Sequence, residues 1–266
     1  MNKPNILITN DDGIHSPGLS AAVKAVMEIG DVTVIAPSHQ QTGMGRSLTG
    51  DVEARLRSID YRVDGVKINA YHCECSPALI IRHSMNTLYV NKKPELLISG
   101  INYGENLGVN ITASGTIGAA LEAASFGIPA IAISKQTDIV SHHQYTDQDW
   151  KPASHFLKHF TGIMLDKKMP TDVDVLKIEV PAGADLSTPW KLTKLAKTGY
   201  YAKAYQNPTK QSRIGDADTV IAFDEKAAGP ETDIYALSID KVISITPLSL
   251  DITSKTDFTV LHQMLI

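Results

Sequence analysis

Little in this chain points to a covalent or membrane-bound framework. Only two cysteines occur in 266 residues, Cys73 and Cys75, and a Cys-x-Cys pair closes too small a loop to staple a fold. His72 stands beside them, but no second Cys/His pair completes the roughly four ligands of a closed zinc site. They read as packed or free thiols. No apolar run reaches the ~18 residues of a membrane span, and the opening Met-Asn-Lys-Pro-Asn leads into no long apolar segment of a signal peptide. The expectation is a cytoplasmic protein with no membrane partner. Positive charge is not in excess: 25 Lys and Arg against 29 Asp and Glu leave a formal net charge of -4, so nothing favours a nucleic-acid polymer as partner. There is no internal repeat and no low-complexity tract. No Gly-x-Gly-x-x-Gly follows the first strand, which argues against a dinucleotide oxidoreductase.

What the chain does have is the patterning of an α/β protein. At 43% hydrophobic and 20% charged residues, it can bury one sizeable core as a single domain over 1–266. The run at 5–9 reads as a strand buried on both faces. Ser16-Pro17 then opens a helix to about 29, with Leu19, Ala22, Val23, Val26 and Met27 at helical spacing, and 32–35 reads as a second buried strand. Residues 52–70 alternate in short pieces, as a small antiparallel excursion would. Ser76-Pro77 repeats the helix-start signal for a helix to about 88. Further strands are expected at 95–98, 129–133, 173–180 and 242–248, with helices at 116–126, 147–163 and 255–265. From 185 to 232 the chain reads as an extended hairpin appendage. The expected fold is therefore Rossmann-like: three layers around a mostly parallel sheet, with a C-terminal β-hairpin appendage.

Polar loops follow three of these strands, at Asn10–Gly13, Ser38–Gly45 and Gly100–Gly108, and in an open parallel sheet they share one rim. Asp11 and Asp12 sit side by side at the end of the first strand, just before Gly13. They form either a plain Asx turn or a site for a hard cation, since two adjacent carboxylates repel unless a cation or hydrogen bonds offset them. Ser114-Gly115-Thr116 opens a helix. Its hydroxyls and free N–H groups make either an ordinary cap or an anion cradle. Carboxylates and a helix start on one rim would suit a metal-bound phosphate. His15 is placed to serve as an acid or as part of the helix start. His142-His143 are expected to be solvated, and Tyr200, Tyr201 and Tyr205 read as base-stacking or subunit contacts.

Thr9-Asn10-Asp11-Asp12-Gly13 with His15, Pro17 and Gly18 is followed by Ser99-Gly100-Ile101-Asn102 with Gly104, Asn106 and Gly108, and then by Ser114-Gly115-Thr116. Thr232-Asp233 and Ser244-Ile245-Thr246-Pro247-Leu248 with Asp251 complete the series. In this order the segments resemble the stationary-phase survival protein SurE family of nucleoside-monophosphate phosphatases, over nearly the whole chain. The resemblance implies a metal-dependent 5'-nucleotidase, acting on 5'- and also 3'-monophosphates, with one divalent ion per subunit, Mg²⁺ or Mn²⁺. It implies Asp11, Asp12, Thr42 and Asn102 as metal ligands, and Asn102, Gly43, Ser114, Gly115 and Thr116 as the phosphate site. Asp11, Asp12 and Asn106 would then be the catalytic residues, and the chain would form a homodimer or homotetramer. The chain departs from the family pattern at three places, one of them His39-Gln40-Gln41, where the family often has a basic residue shortly after Ala36-Pro37. Thr42 replaces the usual Ser, keeping a hydroxyl, and Leu79 stands where the family commonly has Asp. The competing reading is a non-catalytic nucleotide-binding regulatory module of the same fold.

Overall fold

The computed structural model describes residues 3–142 and 144–266. Its first half runs β1 (Asn5–Thr9), α1 (Pro17–Val26), β2 (Asp31–Pro37), β3 (Arg57–Ser58), β4 (Tyr61–Val63), β5 (Val66–Cys73), α2 (Pro77–Thr87), β6 (Leu96–Tyr103) and α3 (Gly115–Ser125). β7 (Ala130–Lys135), α4 (Lys151–Asp166), β8 (Val175–Val180), β9 (Trp190–Leu192), β10 (Tyr201–Tyr205) and β11 (Ala217–Ile221) follow. Short helices α5 (Glu225–Ala228) and α6 (Asp233–Ser238), then β12 (Ile243–Leu248) and α7 (Phe258–Leu265), close the chain.

The main sheet has the order β3-β5-β2-β1-β6-β7-β8-β12-β9, with β4 also paired to β5. From β5 through β8 every pairing is parallel, and β12 runs antiparallel to β8. Strand side chains alternate between two layers, as a sheet covered on both faces requires. Ile6 and Ile8 pack with Leu19 and Val23 of α1 and Phe156 and Leu157 of α4. Leu7 packs the other way, with Ile80 and Ile81 of α2 and Ile117 and Ala120 of α3. This is the three-layer α/β fold read from the sequence. β10 and β11 form a separate antiparallel ribbon, over a small third cluster that includes Leu107, Tyr200 and Leu237.

Several elements differ from expectation for identifiable reasons. β5 lies inside the excursion expected to be only antiparallel, yet it also joins the main sheet in parallel with β2. Alternation shows that a strand is half-buried without showing its partner. β6 continues through Ser99–Tyr103, where a loop was expected, because pairing with β7 resumes after an irregularity between Ser99 and Asn102. Gly100, at φ +134°, accommodates that irregularity in a backbone region closed to other residues. α1 stops at Val26, since the N–H groups of Ile29 and Gly30 both turn back to its carbonyl. α4 starts at Lys151, four residues later than its periodicity suggests, with Pro152 in its first turn. Within the 185–232 segment, β9 pairs in parallel with β12 at the edge of the main sheet.

This topology creates a switch point. β1 leads through α1 to β2 on one side, while β6, its other neighbour, leads through α3 to β7 in the opposite direction. The connections diverge beyond the carboxyl ends of β1 and β6 and leave a crevice there. That crevice begins at Asn10 and at Gly104.

Candidate active site

Asp11 and Asp12 sit at this switch point and are almost fully enclosed, 6% and 2% exposed. Asn10 brackets the turn that carries them: its Oδ1 accepts the Gly13 N–H at 3.2 Å and its Nδ2 donates to the Gly13 carbonyl at 3.1 Å. Gly13 itself adopts φ +101°, a conformation that ordinary side chains disfavour. The two carboxylates then diverge. Asp11 meets α3, whose Thr116 hydroxyl donates to its Oδ1 at 2.6 Å. A Cβ added at Gly115 would come within 2.8 Å of Asp11 Oδ2, so only glycine lets this helix start approach so closely. Asp12 meets β6 and the second loop: the Tyr103 N–H donates to its Oδ2 at 3.1 Å, and Gln40 Nε2 reaches its Oδ1 at 3.4 Å.

Burial holds the pKa of Asp11 above the ordinary carboxylate value, against the pull of the Thr116 hydroxyl and the backbone N–H groups of Thr116 and Gly115. Asp12 is raised further, first by burial and then by the charge of Asp11. Two enclosed carboxylates of like sign are costly without a counter-charge. A divalent cation fits that deficit, and an all-oxygen donor set suits Mg²⁺ or Mn²⁺. Asn102 is consistent with a ligand. Its Nδ2 donates to the carbonyls of Tyr103 (3.1 Å) and Gly104 (2.7 Å), so Oδ1 is the atom of this side chain that could serve a cation. Among the described residues no cluster of three or more His, Cys, Asp or Glu forms a metal site; the two carboxylates would need neutral oxygens to complete a shell.

The remaining expected residues lie in the second loop, at the start of α3 and beyond the end of β6. Thr42 is exposed and follows Gln41, whose N–H donates to the Asp11 carbonyl at 2.6 Å. Gly43 is open, with nothing within 4 Å of an added Cβ. Ser114 caps α3 by accepting the Ile117 N–H at 3.2 Å. Gly115 and Thr116 are engaged with Asp11, which already occupies part of the cradle. Asn106 is set one loop further on, its Nδ2 donating to Ser134 Oγ at 2.9 Å. Its main chain is clasped from β8: Lys177 Nζ donates to its carbonyl at 2.8 Å, and Glu179 Oε2 accepts its N–H at 2.9 Å. Lys177 also pairs with Asp233 at 3.1 Å, and all three charged side chains are fully buried.

Several secondary candidates are placed elsewhere. Tyr200 is core, 1% exposed, and Tyr205 lies on the ribbon. His15 is exposed. His142 is half-buried rather than solvated, its ring edge-on to Tyr201 at 5.7 Å; His143 lies outside the described residues. Cys73 and Cys75 are buried free thiols with sulfurs 3.3 Å apart. Leu79 packs partly buried against the α2/α3 side of the core. Sequence reasoning missed Gln40, Tyr145, Lys177 and Glu179. For the last two a signal existed, a Lys and a Glu two apart in the otherwise apolar run Val-Leu-Lys-Ile-Glu-Val.

The family model described as "Survival protein SurE" matches residues 6–202. A 5'-nucleotidase SurE of Thermococcus gammatolerans is 36% identical over 265 residues, covering 98% of this chain and 95% of the relative. The 5'-nucleotidase SurE of Thermococcus kodakarensis is 37% identical, covering 98% of each, and that of Archaeoglobus fulgidus is 37% identical over 259 residues, covering 97% and 95%. The crystal structure of the SurE protein from Aquifex aeolicus superposes with a TM-score of 0.75 at 29% identity, covering 98% of both chains.

Proposed function

The chain belongs to the SurE family, and from that membership we propose that it is a metal-dependent 5'-nucleotidase, releasing phosphate from nucleoside 5'- and 3'-monophosphates. The observation that carries the reading is the enclosed Asp11–Asp12 pair at the switch point, backed by the start of α3. Asp11, Asp12, Thr42 and Asn102 hold one divalent ion, Mg²⁺ or Mn²⁺. Such an ion supplies charge neutralisation at the phosphoryl oxygens, a water of lowered pKa and stabilisation of the leaving alkoxide.

The protein's own groups do the rest. Gly43 and Ser114 offer donors to the phosphate at its open side, while Gly115 and Thr116 set the orientation of Asp11 and the positive end of α3 behind it. Asn106, gripped through its backbone by Lys177 and Glu179, orients the substrate or the attacking water. No helix among the described residues is long and apolar enough to cross a membrane. The chain works as a homodimer or homotetramer.

Phosphate release from AMP, GMP and CMP, measured with Mg²⁺, with Mn²⁺ and with EDTA, tests the proposal. Release with a metal and none with EDTA is expected. Absence of release under every metal would leave a nucleotide-binding module without turnover, a reading that nothing in the site favours.

A further inference from the structure

In the connection between β7 and α4, the described residues 136–142 and 144–150 meet the Asp12 side of the crevice through three hydrogen bonds, to Gln40, Asp12 and Tyr103. Gln40 Nε2 donates to the His142 carbonyl at 2.6 Å, the Tyr145 hydroxyl donates to the Asp12 carbonyl at 2.7 Å, and the Tyr103 hydroxyl donates to the Thr146 carbonyl at 3.0 Å. The anchors are Asp12 and the two residues that bind its carboxylate, Gln40 through its side chain and Tyr103 through its N–H. The strap is thus built onto the Asp12 side of the site. The α3 start belongs to the Asp11 side, and the second loop joins it there two residues past the open Gly43, where the Gly45 N–H donates to the Ala113 carbonyl at 2.8 Å.

This asymmetry gives a bound phosphate ester a direction. Donors suited to phosphoryl oxygens gather at Asp11 and α3, so the organic half of the ester extends toward Asp12 and the strap. There Tyr145 is 46% exposed although its hydroxyl is tied to Asp12. Tyr103 backs its ring at a centroid distance of 5.8 Å, and Trp150 in turn meets Tyr103 edge-on at 4.9 Å. An aromatic ring held at its far end, supported behind and open elsewhere, has lost most of its freedom before any ligand arrives. Such preorganised rings stack on a heterocycle at low entropic cost.

We propose that Tyr145 is a shelf for the nucleobase and a determinant of the preference for nucleotides over simpler sugar phosphates. The assignment rests on the nucleotidase reading for its substrate class. It places base recognition on the strap rather than on Tyr200, which is buried, or Tyr205, which stands on the ribbon.

The test compares AMP with ribose 5-phosphate, the same sugar phosphate without its base, using wild-type protein, Tyr145→Ala and Tyr145→Phe. KM is measured by phosphate release and Kd by calorimetry for both compounds. In Tyr145→Ala the values for AMP should rise about tenfold relative to those for ribose 5-phosphate, toward the low end of what one base–aromatic stack contributes. Tyr145→Phe should keep the wild-type ratio. An unchanged ratio in Tyr145→Ala, or an equal rise for both compounds, overturns the shelf. So does a Phe variant as impaired as Ala, which would assign the effect to the hydroxyl's hold on Asp12. If wild-type protein released phosphate from neither compound the nucleotidase reading would fall, and the calorimetric ratio would still decide the role of Tyr145.

Discussion

The Thr116 hydroxyl donates to Asp11 Oδ1 at 2.6 Å across 105 residues of sequence, joining the carboxyl end of β1 to the first turn of α3. Both residues are buried. The bond fixes which oxygen of Asp11 remains for a cation and favours the ionised carboxylate against the cost of burial. A residue expected to hold phosphate therefore also orients the carboxylate proposed as a metal ligand. Thr116→Val keeps the shape and removes the donor. Metal affinity should fall roughly 10- to 100-fold, as for other outer-shell partners, with Thr116→Ser restoring much of it. Titration calorimetry with Mn²⁺ reads the effect, and unaltered affinity in the Val variant would show that the bond only packs the helix.

Asp11→Asn addresses the ligand itself. Turnover should drop by more than about a hundredfold, since a ligand matters at least as much as the groups that orient it. The metal-free fold should hold its thermal midpoint or gain slightly, because one of two like charges enclosed together is gone. Steady-state kinetics and thermal unfolding in EDTA measure both. A variant that retains activity removes the metal assignment.

The raised pKa values of Asp11 and Asp12 predict how pH and metal combine. For a carboxylate whose folded pKa lies above its unfolded value, the stabilising contribution is complete below the unfolded pKa, about 3.9, and is lost as pH rises through the folded pKa. In EDTA this pair therefore weakens the fold as pH rises out of the acid range. A bound cation needs the ionised forms and reverses the trend. Thermal midpoints with Mn²⁺ and with EDTA should diverge steadily from pH 4.5 upward, and parallel curves would contradict the site.

Glu179 gives a second pH signature away from the Asp11–Asp12 pair. Burial, with Asp233 and Glu105 adding to it, raises its carboxyl to about 7, although Lys177 and the Asn106 N–H oppose the shift. By the same sign rule, its contribution is complete below an unfolded pKa of about 4.3 and fades as pH approaches 7. Glu179→Gln should flatten that part of the stability profile. In wild-type protein the midpoint should fall by a few degrees more than in the variant between these pH values, about 2–4 °C for each kcal/mol. Identical slopes would mean that Glu179 ionises normally.

What could be read from sequence follows from the range of the interactions. The Asp11–Asp12 turn and the Ser114 helix start are set by residues within four positions of one another, so their types and spacing announce them. The core strands were equally plain, because Ile6, Leu7 and Ile8 are apolar whichever layer each one faces. Gln40 against Asp12, Tyr145 over the same residue and Lys177 under Asn106 depend instead on strand order, and no local pattern carries that. The far end of β6 is hidden for a different reason: Gly100 reads as a loop residue, and only pairing with β7 shows that the strand continues past it.

Assembly is the last expectation open to measurement. Every residue from 251 to 266 is exposed, including Phe258, Leu261, Met264 and Leu265 of α7, so the apolar side chains of this helix are left uncovered by the described residues of its own chain. An eight-residue helix is marginal in water without such packing. The β10–β11 ribbon is anchored at Tyr201, which packs against the Leu107–Leu237 cluster, while most of its other residues are exposed or half-buried, and a two-stranded hairpin is at best marginally stable alone. Both elements gain the missing burial if they lie against a second copy. Light scattering should give the mass of two or four chains, and removing residues 251–266 should lower the mass or make it concentration-dependent. A single-chain mass for the intact protein at micromolar concentration would defeat the expectation, leaving α7 to fray in solution.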